Sequence, residues 1–177
     1  MQWRTFWRVD GKECCLKPRA ASVDFPFPRA RPLVTLEGVF RKVFSLQHRV
    51  TYSECTLGNH VYYARYLDLL EIVRGEFFRS LGASFLHWQE REVIFPVVEA
   101  RLRYRSPARY DEVLTLEVWP AKVAGVRLDF AYRICHANDA AVLDAETFHV
   151  CTGLNEKPRR MPEELQEALK PYLRTVG

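Results

Sequence analysis

Residues 52–66, YSECTLGNHVYYARY, gather Glu54, Cys55, Thr56, Asn59 and His60 directly ahead of an apolar helical stretch. So many hydrogen-bonding side chains at a helix entrance make either a well-built cap or a place where chemistry happens. A helix start leaves backbone N–H groups unpaired and carries a partial positive charge. N–H groups near Asn59, His60 and Val61 can therefore meet an oxygen on which negative charge develops. Thr56 is not ionised at neutral pH and is no base, but it can orient a water, or attack if a base activates it. Glu54 is the nearest carboxylate. If residues 54–56 are extended, it points the same way as Thr56, as general base to a water holder. The loop also reads as a plain helix cap, with Glu54 capping or in solvent. Arg74, further along, can stabilise an oxyanion or a substrate carboxylate, or simply pair with Glu71 three residues before it. Asn59 and His60 can touch water or substrate. Cys55 reads as a small buried thiol, and His48, His87, His136 and His149, scattered over strands and loops, read as structural.

The periodicity supplies elements to hold these residues. Alternation in VFRKVFSLQHRVTY predicts a first strand over about 42–52. After the polar loop, Tyr62, Tyr66, Leu69, Leu70, Val73, Phe77 and Leu81 recur at steps of three and four. Arg65, Asp68, Glu71 and Arg79 take the opposite face, so one helix of about 20 residues is predicted, stopped by Gly82. Four strand-like segments follow. Val98, Ala100, Leu102 and Tyr104 share one face of the first; Leu114, Leu116 and Val118, then Val126, Leu128, Phe130, Tyr132 and Ile134, share one face of the next two; AVLDAETFHVCTGL is mixed. Period-two alternation indicates antiparallel strands covered on one side. PEELQEALKPYL closes the chain as a short helix with Pro162 near its first turn. One long helix and five strands make an α+β layer, an antiparallel five-stranded sheet wrapped around one long central helix.

Residues 1–38 read as an irregular N-terminal extension, and 39–177 as the folded domain. Four of the ten prolines fall in 1–36, which blocks helix interiors and central strands. Residues 1–36 hold seven of the 26 Lys/Arg and three of the 22 Asp/Glu, leaving 19 of each sign in the remaining 141 residues. The net charge of +4 thus belongs to the extension, and a neutral body argues against a nucleic-acid surface. No apolar run approaches a membrane-spanning length, and the charge-studded first 20 residues are no signal peptide. Five cysteines without paired CxxC spacing read as reduced thiols of a cytoplasmic protein, with neither a zinc site nor a disulfide framework; Cys14 and Cys15 alone offer a soft-metal pair.

In their order along the chain, YSECTLGNHVYYARYL, LEIVRGEFF, RYRSPARYDEVLTLEV and KPRRMPEEL resemble the hotdog-fold thioesterases of the 4-hydroxybenzoyl-CoA and Tol-Pal-associated acyl-CoA group, over about residues 44–170. That group carries a catalytic Asp in a DTDxxG or DCDxxG loop. Thr56 stands at that position, with Glu54 and Cys55 at the first acidic and middle positions. Tyr63 stands where the Tol-Pal-associated branch commonly has His. The hotdog thioesterases of enediyne biosynthesis also lack the acid; their loop Asn falls on Thr56 and their helix Arg on Arg74. Fluoroacetyl-CoA thioesterase, a further hotdog, uses a catalytic Thr.

The resemblance implies a hotdog fold and hydrolysis of an acyl-CoA or acyl-carrier-protein thioester to free acid and thiol. Thr56, Glu54, Arg74 and Asn59 are then the catalytic candidates. His60, Tyr63, Lys157, Arg159 and Arg160 are the substrate-binding candidates, the last three facing the phosphates of coenzyme A or a solvated turn. Coenzyme A enters only as part of the substrate, with no further cofactor and no metal. The absent DxNPxH arrangement disfavours a hydratase. A silent hotdog that binds acyl thioesters or a protein partner without turnover is the alternative. A homodimer or homotetramer is expected, because a lone protomer exposes a sheet edge.

Overall fold

The computed structural model describes residues 42–174, so the 1–38 extension, with Cys14 and Cys15, lies outside the described residues. Five strands, β1 (Phe44–Arg49), β2 (Val97–Tyr104), β3 (Val113–Ala124), β4 (Arg127–Cys135) and β5 (Ala141–Val150), form one antiparallel sheet in the order β1-β3-β4-β5-β2. Three helices, α1 (Arg65–Ser80), α2 (Phe85–Glu90) and α3 (Glu163–Leu169), accompany it. The α+β arrangement expected from the periodicity is present: one long helix on a five-stranded antiparallel sheet.

α1 forms because its apolar residues fall on one stripe. Tyr66, Leu69, Leu70, Val73, Phe77 and Phe78 are buried, while Arg65, Asp68, Glu71 and Arg79 face water. The stripe sits on Leu114, Leu116 and Val118 of β3 and Leu128, Phe130 and Ile134 of β4, all buried. Phe77 and Phe78 meet Phe130 at centroid separations of 6.3 and 6.0 Å. Leu81 caps α1, and Gly82 adopts φ +87°, a left-handed stop that glycine takes without strain.

Four expectations need correction. β1 spans six residues, because Tyr52–Glu54 turn into a 3-10 helix. α1 starts at Arg65, so Tyr62 and Tyr63 belong to the loop and are exposed, while Phe78 joins the buried stripe. β4 is buried on both faces, Asp129 and Ala131 included, because long side chains such as Arg127 and Phe148 lie over its outer side. β2 is largely exposed: Val98 is 62% accessible and only Leu102 is half-buried. It is an edge strand with β5 as its one neighbour, beyond the cover of α1.

Phe77 also touches Phe44 and Tyr172, at 5.6 and 5.0 Å between ring centroids. Its truncation to Ala leaves a void among four rings and is expected to cost about 3–5 kcal/mol. Urea unfolding of Phe77→Ala measures this.

Candidate active site

The loop between β1 and α1 is pinned at both ends. Glu54 Oε2 accepts from the Thr51 N–H at 2.6 Å, and the carboxylate lies 2.9 and 3.1 Å from His48 Nε2. Partial burial raises the Glu54 pKa, but the hydrogen bonds from Thr51 and His48 outweigh it, and the group is held below its usual value. Glu54 is thus a clamped carboxylate. Downstream, the Val61 N–H donates to Ala108 O at 2.9 Å, and Cys55 bridges Val61. Burial, followed by the Glu54 charge, raises the Cys55 pKa and keeps it a thiol.

Asn59 turns the chain with φ +52°, a conformation Asn tolerates better than most residues. Its side-chain oxygen accepts from the Tyr110 N–H at 3.3 Å and its carbonyl from Arg109 at 3.3 Å. Asn59 therefore staples the loop to the β2–β3 connection. Because α1 begins at Arg65, residues 59–61 are not its first turn, and two of the three N–H groups expected to face substrate are occupied. Asn59 N–H donates to Thr56 O and Val61 N–H to Ala108 O. Among the described residues, the N–H groups of His60, Tyr63 and Ala64 have no acceptor.

Thr56 and His60 come together. Thr56 Oγ1 lies 3.5 Å from the His60 ring nitrogens and donates to His60 O at 3.3 Å. Both line a cleft of about 520 Å3 with Tyr63, Tyr66, Tyr104 and Ser106. Tyr104 crosses from β2 to donate to Tyr63 O at 3.0 Å, which ties the loop to the sheet edge. Of the sequence candidates, the structure brings Thr56, His60 and Tyr63 to one cleft, with Glu54 and Asn59 as supports outside its lining.

Arg74 lies elsewhere. It is half-buried on α1 and reaches not to Glu71 but to His149 Nε2, at 3.0 Å, with Phe85 under its guanidinium. His149 Nδ1–H donates to Phe95 O at 3.0 Å, so Nε2 is the acceptor for Arg74 and for Thr147 at 2.8 Å; the Tyr132 hydroxyl donates in turn to Thr147. This buried chain joins α1 to β4 and β5. Arg74 also borders a separate hollow of about 270 Å3 with Glu71, Gln89 and Phe95. Lys157 and Arg159 line a third hollow of about 310 Å3, where Arg159 is committed to Glu92 O at 2.9 Å; Arg160 is exposed. Among the described residues, no cluster of three or more His, Cys, Asp and Glu is placed to hold a metal, and no helix is long and apolar enough to cross a membrane.

Five antiparallel strands cradling one helix, with a polar loop at the helix entrance opening on an aromatic cleft, define a hotdog protein of the thioesterase kind. The family model of the thioesterase-like superfamily matches residues 50–169, and the chain belongs to that superfamily. It is 31% identical over 123 residues to the acyl-CoA thioester hydrolase YbgC of Escherichia coli O6:H1, covering 69% of this chain and 92% of YbgC. Among solved structures, a hypothetical protein from Thermus thermophilus superposes with TM-score 0.68 at 30% identity, over 72% of this chain and 98% of that one. A probable thioesterase from Bartonella henselae superposes with TM-score 0.65 at 27% identity, over 68% and 100%.

Burial, then repulsion from Arg74, lowers the His149 pKa from 6.5 to about 4. The unfolded chain therefore binds the extra proton between these values. Stability from this group is fully present above pH 6.5 and is lost as pH falls through 4, by roughly 3 kcal/mol. Urea unfolding between pH 7 and 4 is expected to show that decline, and His149→Gln is expected to flatten it.

Proposed function

We propose that this thioester hydrolase cleaves acyl-CoA or acyl-carrier-protein thioesters in the cleft between the 54–63 loop and the end of β2. One observation carries the reading. The Thr56–His60 pair, with no carboxylate in the lining, sits on a cleft walled by Tyr62, Tyr63, Tyr66 and Tyr104. The rings receive an aryl or fatty acyl group. Thr56 orients the water, His60 takes its proton, and the free N–H groups of Tyr63 and Ala64 meet the thioester oxygen as it becomes negative. Thr56 thus stands in for the acid of related hotdogs by positioning water rather than deprotonating it. Glu54 and Asn59 support this pair by holding the loop, while Arg74, bonded to His149, stands outside the cleft. Lys157 and Arg160, both exposed, are the sequence candidates left to meet coenzyme A phosphates. The thiols of Cys55, Cys135 and Cys151 suit the cytoplasm.

Two copies pairing through β2 would complete the sheet. Val97 and Val98, 49% and 62% accessible, lie on that open edge. Light scattering after size exclusion is expected to give a homodimer, or a homotetramer built from such dimers. Val98→Lys is expected to shift it to monomer; a monomeric wild type overturns the pairing.

The activity is tested by free-thiol release from aryl-, short- and long-chain acyl-CoAs and an acyl-carrier protein. Thr56→Ala and His60→Gln are each expected to lower kcat/KM on the order of 100-fold. Silence of the wild type on every thioester ends the proposal. A subtler variant is Gly58→Ala, whose new Cβ would come 2.7 Å from His60 Cε1. The ring yields and leaves Thr56, so kcat/KM is expected to drop roughly tenfold or more while the melting temperature holds.

A further inference from the structure

Ser106 and Glu112, from the β2–β3 connection, and His136, the residue after β4, are brought together by the fold. Ser106 Oγ donates to Ala141 O at 2.8 Å and lies 3.1 Å from His136 Nε2. The other imidazole nitrogen, Nδ1, lies 3.1 Å from Glu112 Oε2. That oxygen is buried and has no aligned hydrogen bond, which leaves it open to the imidazole N–H beside it. The backbone on either side is fixed: Arg105 and Ser106 N–H groups both donate to Val142 O, and His136 N–H donates to Ala140 O. Ser106 also lines the cleft that holds Thr56 and His60. A hydroxyl, an imidazole and a carboxylate in this sequence of contacts are the parts of an activated serine.

We propose that Ser106 is a nucleophile of this cleft, with His136 as its base and Glu112 positioning the imidazole, and that it carries the acyl group as an ester before water releases it. The inference rests on thioester hydrolysis in this cleft. Rotation about the Cβ–Oγ bond turns the hydroxyl proton from Ala141 O to Nε2. As the Oγ–carbon bond forms, that proton passes to His136; the carbon–sulfur bond then breaks and His136 returns the proton to the departing sulfur. Water oriented by Thr56 attacks the ester and gives its proton to His60; the bond from carbon to the Ser106 oxygen then breaks, that oxygen takes the proton back from His60, and the free acid leaves.

The test treats the full chain with a fluorophosphonate, which phosphonylates an activated serine hydroxyl and expels fluoride, and maps the label by peptide mass. Label on Ser106, abolished in His136→Gln, is expected. In the thiol-release assay, Ser106→Ala is expected to lose on the order of 100-fold in kcat or more, with a melting temperature confirming that it folds. Wild type that hydrolyses thioesters while Ser106 stays unlabelled, or a folded Ser106→Ala within about twofold of wild type, overturns the nucleophile and spares the cleft. Label on Ser106 with no thiol release from any thioester upholds the activated serine and overturns the hydrolase reading. Should Ser106→Ala not fold, the labelling of wild type and of His136→Gln decides.

Discussion

Burying the apolar stripe of α1 against β3 and β4 dictates where everything else can lie. Leu69, Val73, Phe77 and Phe78 have no accessible or almost no accessible surface, and at about 25 cal/mol per Å2 such burial outweighs any single polar contact in the domain. With the helix laid across the sheet, its first turn is delivered to the end of β2. The loop from β1 must then cross that end. The cleft is what remains between a loop that has to bridge and an edge strand that the helix does not cover.

Polar interactions refine that position rather than create it. The Glu54 clamp on Thr51 and His48, the Val61–Ala108 hydrogen bond and the Asn59–Tyr110 contact each hold one side of the loop. Together they leave Thr56 and His60 few options but the cleft wall. The Arg74–His149–Thr147–Tyr132 chain does a comparable job deeper in the protein. Neutral His149 accepts there what a charged imidazole could not, so a cation and a histidine share one buried site.

The proposed chemistry is divided between two kinds of segment. The 54–63 loop is local in sequence, and its candidates stand out because they are crowded together. Ser106, Glu112 and His136 are spread over 31 positions, and each alone looks ordinary. Only β-sheet pairing, with β5 lying between β2 and β4, brings the two connections to one end of the sheet.

Periodicity in the linear chain was enough for the helix stripe, for the inward faces of β3 and β4, and for the loop that meets the cleft, because each depends on residues a few positions apart. Order and spacing of its motifs also carried the superfamily. Two kinds of property lay beyond it. One is neighbourhood: that Arg74 turns to His149 instead of Glu71, that Glu54 is clamped rather than aimed at Thr56, and that β2 is an edge. The other is where backbone donors end up once α1 starts three residues later than its stripe suggests. Both depend on contacts between residues far apart in the chain, and no local pattern encodes which of several available partners tertiary packing will bring within 3 Å.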